Sequence, residues 1–221
     1  MRTFEHAGVT YHCDDASVGF ASNGPSTAGG AVRRIRKRGL SGLRVLDVCC
    51  GVGVVGLTMF RELGPEVVRH LTLSDVNVFN VVSARRTLKK NADLFREADV
   101  RVLLSDGLAS VPRDSPFDLI VSNPPHGTMP DYADLDEFTA SWLGTADEGW
   151  AFHRHFYAAA ADYLSGAGEV WFLENGNTAV ESVVLPAIAT DGRLECYTPR
   201  EAEPLDESIY FWMLSRKKGI H

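Results

Sequence analysis

The strongest constraint on how this chain folds is an alternation. From about residue 43 onward, short apolar runs that close on a polar or glycine turn take turns with stretches of helical spacing. Leu43 to Val48 ends on a glycine-rich turn, Leu71 to Ser74 on Asp75, and Val100 to Leu104 on Ser105-Asp106-Gly107. Phe117 to Val121 ends on Ser122-Asn123-Pro124-Pro125, and Glu169 to Leu173 on Glu174-Asn175-Gly176. The spacing predicts helices over Val54 to Leu63, Val76 to Lys90, Asp147 to Leu164 and Asn177 to Ile188. In the second of these, Val78, Val81, Val82 and Leu88 would face inward, and Arg85, Arg86, Lys89 and Lys90 outward.

Strand, helix, strand repeated along a chain makes βαβ units and a parallel sheet. Arg193 to Tyr197 and Ser208 to Leu214 are β-rich, with little between them but a turn around Pro199 to Pro204, which predicts an antiparallel edge hairpin. The expected fold is α/β: a Rossmann-like, seven-stranded, mostly parallel sheet with helices on both faces. The 221 residues suit one domain, with 1–41 as a lid or substrate segment and 42–221 as the core.

Composition excludes other classes. At 45% hydrophobic and 23% charged residues the chain is neither disordered nor fibrous. No apolar run approaches the roughly 20 residues that span a bilayer, and Met1-Arg2-Thr3-Phe4-Glu5-His6 has no signal core. Cys13, Cys49, Cys50 and Cys196 form no C-x-x-C pair, so reduced thiols and a cytoplasmic location are expected. The net charge of −7 argues against a surface that coats nucleic acid.

In open α/β sheets the ligand crevice lies at the carboxyl ends of the strands. Asp47, Asp75, Asp106 and Asn123 all stand at such ends. Gly51-x-Gly53-x-x-Gly56 matches a dinucleotide fingerprint, but Asp47 precedes it and would repel a pyrophosphate. S-adenosylmethionine carries an ammonium and a sulfonium and no phosphate. On that reading Gly51 and Gly53 let the backbone approach the cofactor, Asp75 takes the ribose hydroxyls, and Asp106 meets the adenine amino group. Val76 and Gly107, which follow the two acids, complete the set. An NAD(P) enzyme on the same glycines remains an alternative.

Asn123-Pro124-Pro125-His126 supplies the chemistry. Two prolines stiffen the turn and remove two amide donors. The Pro124 carbonyl and the Asn123 side-chain oxygen can then accept both hydrogens of an NH2 group. Such a grip favours a pyramidal nitrogen and stabilises the charge that grows during attack on a methyl group. No metal is required.

These residues resemble class I S-adenosylmethionine-dependent methyltransferases, and among them the release-factor glutamine N5-methyltransferase family. The resemblance runs from Gly42 to about Gly176. It includes Leu143-Gly144-Thr145-Ala146-Asp147-Glu148-Gly149-Trp150, Tyr163-Leu164-Ser165-Gly166-Ala167-Gly168 and Leu173-Glu174. It implies that Asn123 and Pro124 grip a substrate amide, and that the product left behind is S-adenosylhomocysteine. His126 stands where the family has Tyr, and Cys49 replaces the first glycine of the cofactor turn. His126 is expected to stack on the acceptor or shape its pocket, ahead of acting as a base. Only about forty residues precede the first strand, so no separate N-terminal helical domain is expected.

Phe20 and Thr27 are lid candidates ahead of a basic helix, Ala31 to Arg38, which Ser26 or Thr27 would cap. Its Arg33, Arg34, Arg36, Lys37 and Arg38 form a solvated face, or else touch a phosphate backbone. His153 and His155 point apart on their helix and predict no metal site. Asp131, Tyr132, Asp134, Asp136, Glu137 and Trp142 lie in a long insertion after the proline turn and suit a cationic or amine-bearing substrate. The expected acceptor is a protein glutamine or small-molecule amine, ahead of a nucleic-acid base. A non-catalytic scaffold that keeps the cofactor fold is the reading from a different class.

Overall fold

The structure is a computed structural model that describes residues 2–15, 23–127, 147–176, 178–202 and 210–219. Strands β1 (Arg2–His6) and β2 (Val9–Cys13) form an antiparallel hairpin. Helix α1 (Asn23–Arg38) follows, then β3 (Leu43–Val48), α2 (Val54–Leu63), β4 (Val68–Asp75), α3 (Val78–Lys90), β5 (Asp99–Leu104) and β6 (Phe117–Ser122). After these come α4 (Ala151–Ala159), β7 (Leu164–Asn175), α5 (Leu185–Thr190), β8 (Leu194–Ala202) and β9 (Tyr210–Lys217). The seven larger strands form one sheet in the order β5-β4-β3-β6-β7-β9-β8. The pairs β3/β4 and β4/β5 are parallel, and β7/β9 and β8/β9 antiparallel. A mostly parallel sheet flanked by helices, with an antiparallel pair at one edge, is the expected α/β architecture.

The chain divides into two compact units, residues 1–111 with 121–123, and residues 112–120 with 124–221. In the first, Ile35, Leu46, Leu57, Met59, Leu71 and Leu73 are fully buried. Gly24 lets α1 approach α2: a Cβ there would sit 3.1 Å from the Val54 side chain. In the second, Phe156, Tyr157, Trp171, Phe172 and Trp212 form a core rich in aromatic contacts. There Gly168 permits β7 to lie close to β6, since a Cβ would stand 2.7 Å from the Phe117 carbonyl oxygen.

Several elements differ from the sequence expectation. The β1/β2 hairpin was not anticipated, and α1 begins at Asn23, so neither Ser26 nor Thr27 caps it. Strand β7 starts at Leu164 and absorbs the Ser165-Gly166 expected as a helix stop. The Asp147 to Leu164 helix is shorter, with tight turns at Glu148–Trp150 and Ala160–Asp162 on either side of α4. The helix expected over Asn177 to Ile188 is a wide turn at Val180–Val184 running into α5. On α3 the buried face is Asn80, Val81, Ser83, Ala84 and Thr87, while Val78 and Val82 are 48% and 44% exposed. Val81 is buried and Arg85, Arg86, Lys89 and Lys90 are exposed as expected, and the hairpin accounts for the polar part of the buried face. His12 N–H donates to Thr87 Oγ1 and Asp14 N–H to Ser83 Oγ, so hydroxyl-bearing residues face the docked strand. Among the described residues no helix is long and apolar enough to cross a membrane.

Candidate functional site

In the first unit the site grows from the end of β3. Cys50 N–H donates to the Ser74 carbonyl and Gly53 N–H to the Cys50 carbonyl, folding a tight loop between β3 and α2. The loop needs left-handed backbone at three positions: Cys49 (φ +56°), Gly51 (φ +55°) and Gly53 (φ +89°). Glycine meets that demand without strain at the last two, and Cys49 does not.

Asp47 lies beneath this loop, 1% exposed. Its Oδ2 accepts the Gly56 N–H at 2.8 Å, and its Oδ1 is buried with no hydrogen-bond partner. Burial pushes this carboxyl up to about 8, the Gly56 bond opposes that shift, and Asp75 adds to it. Gly56 is required at the contact. A Cβ would lie 2.6 Å from Leu73 Cδ2 and 3.1 Å from Asp47 Oδ2. An amide in the first turn of α2, the kind of donor a pyrophosphate would use, is therefore already held by a carboxylate.

Asp75 closes β4 next to the loop. Its Oδ2 accepts Gly51 N–H at 2.8 Å, and its Oδ1 accepts Asn77 N–H at 2.8 Å and Asn80 Nδ2 at 3.1 Å. Burial raises this carboxyl and the donors counter it. Its accepting capacity is thus spent partly on the loop, through Gly51, and partly on the start of α3, through Asn77 and Asn80. Ser105 N–H donates to the Asp75 carbonyl, which sets Asp106 and Gly107 beside Asp75 at the end of β5. Asp106 is exposed, and Val76 is 66% exposed. Thr27 does not join them as a capping residue: it is wholly buried in α1 and its hydroxyl donates to the Asn23 carbonyl.

The proline turn follows directly. Ser122 Oγ donates to the Val48 carbonyl at 2.6 Å, which ties the last residue of β6 to the end of β3. Asn123 therefore leaves the sheet beside the Cys49–Gly53 loop. The basic residues at the end of α1 stand elsewhere. Arg36, Lys37 and Arg38 lead through a short loop into the start of β3, at the opposite end of the strands from Asp47.

In the second unit, His126 approaches a buried cluster. Its Nδ1 lies 3.5 Å from Glu174 Oε2, and its ring meets Tyr210 edge to face at 6.0 Å. Glu174 ends β7 fully buried. Its Oε1 is 3.0 Å from His153 Nε2, and its Oε2 accepts Thr178 Oγ1 at 2.8 Å. His153 Nδ1 lies 2.6 Å from Asp147 Oδ2. Asp147 also accepts the N–H groups of Phe152 and His153, two amides in the first turn of α4 that have no partner within the helix. Trp150, Phe152 and Phe172 ring the imidazole. A ring with a carboxylate on each nitrogen is satisfied only when both nitrogens carry hydrogen. Burial alone would lower His153, but Glu174 and Asp147 outweigh it and raise it to about 9. Burial alone would raise Glu174, but the attraction of His153 and the contact with His126 outweigh it.

This cluster was missed from sequence. Asp147 and Glu174 were visible only as positions in the family resemblance, and His153 was weighed only as a metal ligand. The available signal was an acid at the mouth of a helix six residues before a histidine. Among the described residues no group of His, Cys, Asp or Glu is arranged to hold a metal, and all four cysteines are free. Phe20 and the acids and aromatics between Asp131 and Trp142 lie outside the described residues.

Residues 32–135 match the methyltransferase small domain. The match takes in the glycine loop, Asp75, Asp106 and the Asn-Pro-Pro-His turn. The chain is also 40% identical over 82 residues to a ribosomal RNA small subunit methyltransferase C of Actinobacillus pleuropneumoniae, covering 37% of this chain and 22% of that protein. It is 33% identical over 138 residues to a release factor glutamine methyltransferase of Haemophilus influenzae, covering 60% and 46%. The chain thus spans less than half the length of these curated relatives. Among solved structures, a T. thermophilus 16S rRNA N2 methyltransferase in complex with AdoMet and guanosine superposes with a TM-score of 0.64 at 18% identity. That likeness covers 98% of this chain and 50% of the other, and it establishes the fold.

Proposed function

We propose that this chain binds S-adenosylmethionine and transfers its methyl group to a planar, conjugated NH2 group, with a guanine or adenine amino group in RNA as first choice of acceptor. The hydrogen bond from Ser122 Oγ to the Val48 carbonyl carries the reading. It ties Ser122, the neighbour of Asn123, to the end of β3 just before the glycine loop, which supports an acceptor nitrogen gripped by Asn123 lying next to a cofactor held by that loop. The choice of cofactor rests on Asp47. Its unpartnered, buried Oδ1 suits a cationic ligand end, and its hold on Gly56 N–H removes a donor that a phosphate would need. Gly51 and Gly53 would admit the cofactor, and Asp75, Val76, Asp106 and Gly107 would hold its nucleoside. The methyl group arrives already activated on sulfur, so this chain's own task is to bind, align and relieve charge.

The choice of RNA rests on the ribosomal RNA methyltransferases among the relatives and on the guanosine in the solved one. A protein glutamine amide is the second reading, favoured by the acidic balance of the chain and by the release factor relative. A single-domain, cytoplasmic enzyme is part of the proposal.

Calorimetry with S-adenosylhomocysteine tests the cofactor, and transfer of label from tritiated S-adenosylmethionine tests the acceptor. Label is expected on an oligoribonucleotide containing guanine and adenine, and not on a glutamine peptide. Asn123→Ala should keep cofactor affinity and lose about 10²- to 10³-fold in kcat. An absence of S-adenosylhomocysteine binding would end the proposal. Label on the peptide alone would move the acceptor to protein.

A further inference from the structure

The cluster behind His126 has an unbalanced charge. Asp147 and Glu174 contribute two carboxylates, and the doubly protonated ring of His153 contributes one positive charge. One negative charge remains, and Glu174 is fully buried with its second oxygen facing His126 Nδ1. A buried, uncompensated carboxylate is costly, and the nearest group able to cancel it by gaining a proton is His126. The 3.5 Å approach of Nδ1 to Glu174 Oε2 favours a proton on Nδ1, which leaves the Nε2 lone pair on the far side of the ring from Glu174.

We propose that His126 is the proton acceptor for the methylated nitrogen, with Glu174 as the residue that positions and charges it, and His153 and Asp147 as the buried clamp that holds Glu174. The inference rests on the methyl-transfer reading above, and it replaces stacking as the expected role of His126. The acceptor nitrogen bonds to the methyl carbon while the electron pair of the broken carbon–sulfur bond stays on sulfur. The nitrogen gains one positive charge and gives one proton to His126 Nε2. The resulting imidazolium pairs with Glu174 and brings the cluster to neutrality. A conjugated nitrogen that sheds its proton as the new bond forms keeps part of its delocalisation, which is where a base lowers the barrier. His126 is the second residue after Pro124 in a turn stiffened by two prolines, so the base and the Pro124 carbonyl of the proposed grip belong to one short segment of the second unit.

Glu174 from β7 and Tyr210 from β9 face His126. Behind Glu174 stand His153 and Tyr157 of α4, Thr178, and Asp147.

Imidazole 1H–15N correlation spectra of the whole chain test the arrangement without turnover, with His126→Gln assigning its signals. At neutral pH, neutral His126 is expected to carry its proton on Nδ1, and His153 on both nitrogens. Glu174→Gln should shift His126 toward the Nε2–H form. An Nε2–H form of His126 in the unaltered protein overturns the proposal, and that spectrum suffices if Glu174→Gln does not fold. In the methyl-transfer assay on the oligoribonucleotide, His126→Gln should lower kcat by about 10²-fold with little change in KM. An unchanged kcat in that variant also overturns it. If the unaltered protein methylates neither the oligoribonucleotide nor the glutamine peptide, the methyl-transfer reading fails, while the tautomer measurement still decides the dyad.

Discussion

Cys49 holds a backbone conformation that L-residues other than Asn and Asp rarely adopt, at a place where the resembling family has glycine. The left-handed region costs a side chain about 1–2 kcal/mol, and glycine returns part of that gain through greater freedom when unfolded. Cys49→Gly is therefore expected to raise the unfolding free energy by about 0.5–1 kcal/mol, measured by urea denaturation. A fall in stability would mean that the thiol packs more strongly than the loop is strained. The substitution of a family glycine was legible in the sequence. Its conformation was not, because a turn of this shape follows from the bonds Cys50 N–H and Gly53 N–H make, and those link residues distant in sequence as well as near ones.

At the scale of elements, the β1/β2 hairpin is attached to the first unit through side chains of α2 and α3. Asn91 Nδ2 donates to the Thr10 carbonyl, Thr10 N–H donates to Asn91 Oδ1, and the Tyr11 hydroxyl pairs with Thr58. Asn91→Ala removes both bonds to Thr10 and should speed hydrogen exchange at the Thr10 and His12 amides by about 10- to 100-fold, with the α2 amides unaffected. The same attachment explains what sequence could not deliver. Val54 to Leu63 and Leu43 to Val48 were legible to the residue because their apolar spacing is buried by sequence neighbours. On α3 the apolar spacing was right for Val81 and for the outward Arg and Lys residues but not for the exposed Val78 and Val82, since the buried face also carries Ser83 and Thr87, whose hydroxyls accept amides of the docked segment, and Asn80, which donates to Asp75. The strand-end positions of Asp47, Asp75 and Asp106 were legible in the sequence, since each follows an apolar run that forms a strand. The Asp147–His153–Glu174 cluster was not, because its members are drawn together from a helix mouth, a helix and a distant strand.

For the whole molecule, buried charge sets how stability follows pH. His153 is raised from 6.5 to about 9, so its contribution is complete below 6.5 and lost as pH climbs through 9. Asp47 is raised from 3.8 to about 8, so the contribution of its protonated form is complete below 3.8 and lost as pH climbs through 8. Glu174 is lowered from 4.5 to about 2, so its contribution is present above 4.5 and lost as pH falls through 2. The melting temperature is expected to peak at about pH 4, to decline from there to about 6.5 through Asp47, more steeply to about 8 through Asp47 and His153 together, and on to about 9 through His153. Asp47→Asn should flatten the decline between about pH 4 and 8, as read by scanning calorimetry. A melting temperature still rising at pH 8 would contradict both assignments.

The bonded quartet of Asp147, His153, Glu174 and Thr178 carries a consequence for descent. Neutralising any one member strands its neighbours in a dry interior, whereas replacing all of them together with apolar residues need not harm the fold. Drift at these positions is thus blocked one step at a time but open in a single block. Lineages that lost the group as a whole would keep the scaffold, and a histidine left behind in the proline turn would have nothing to lean on.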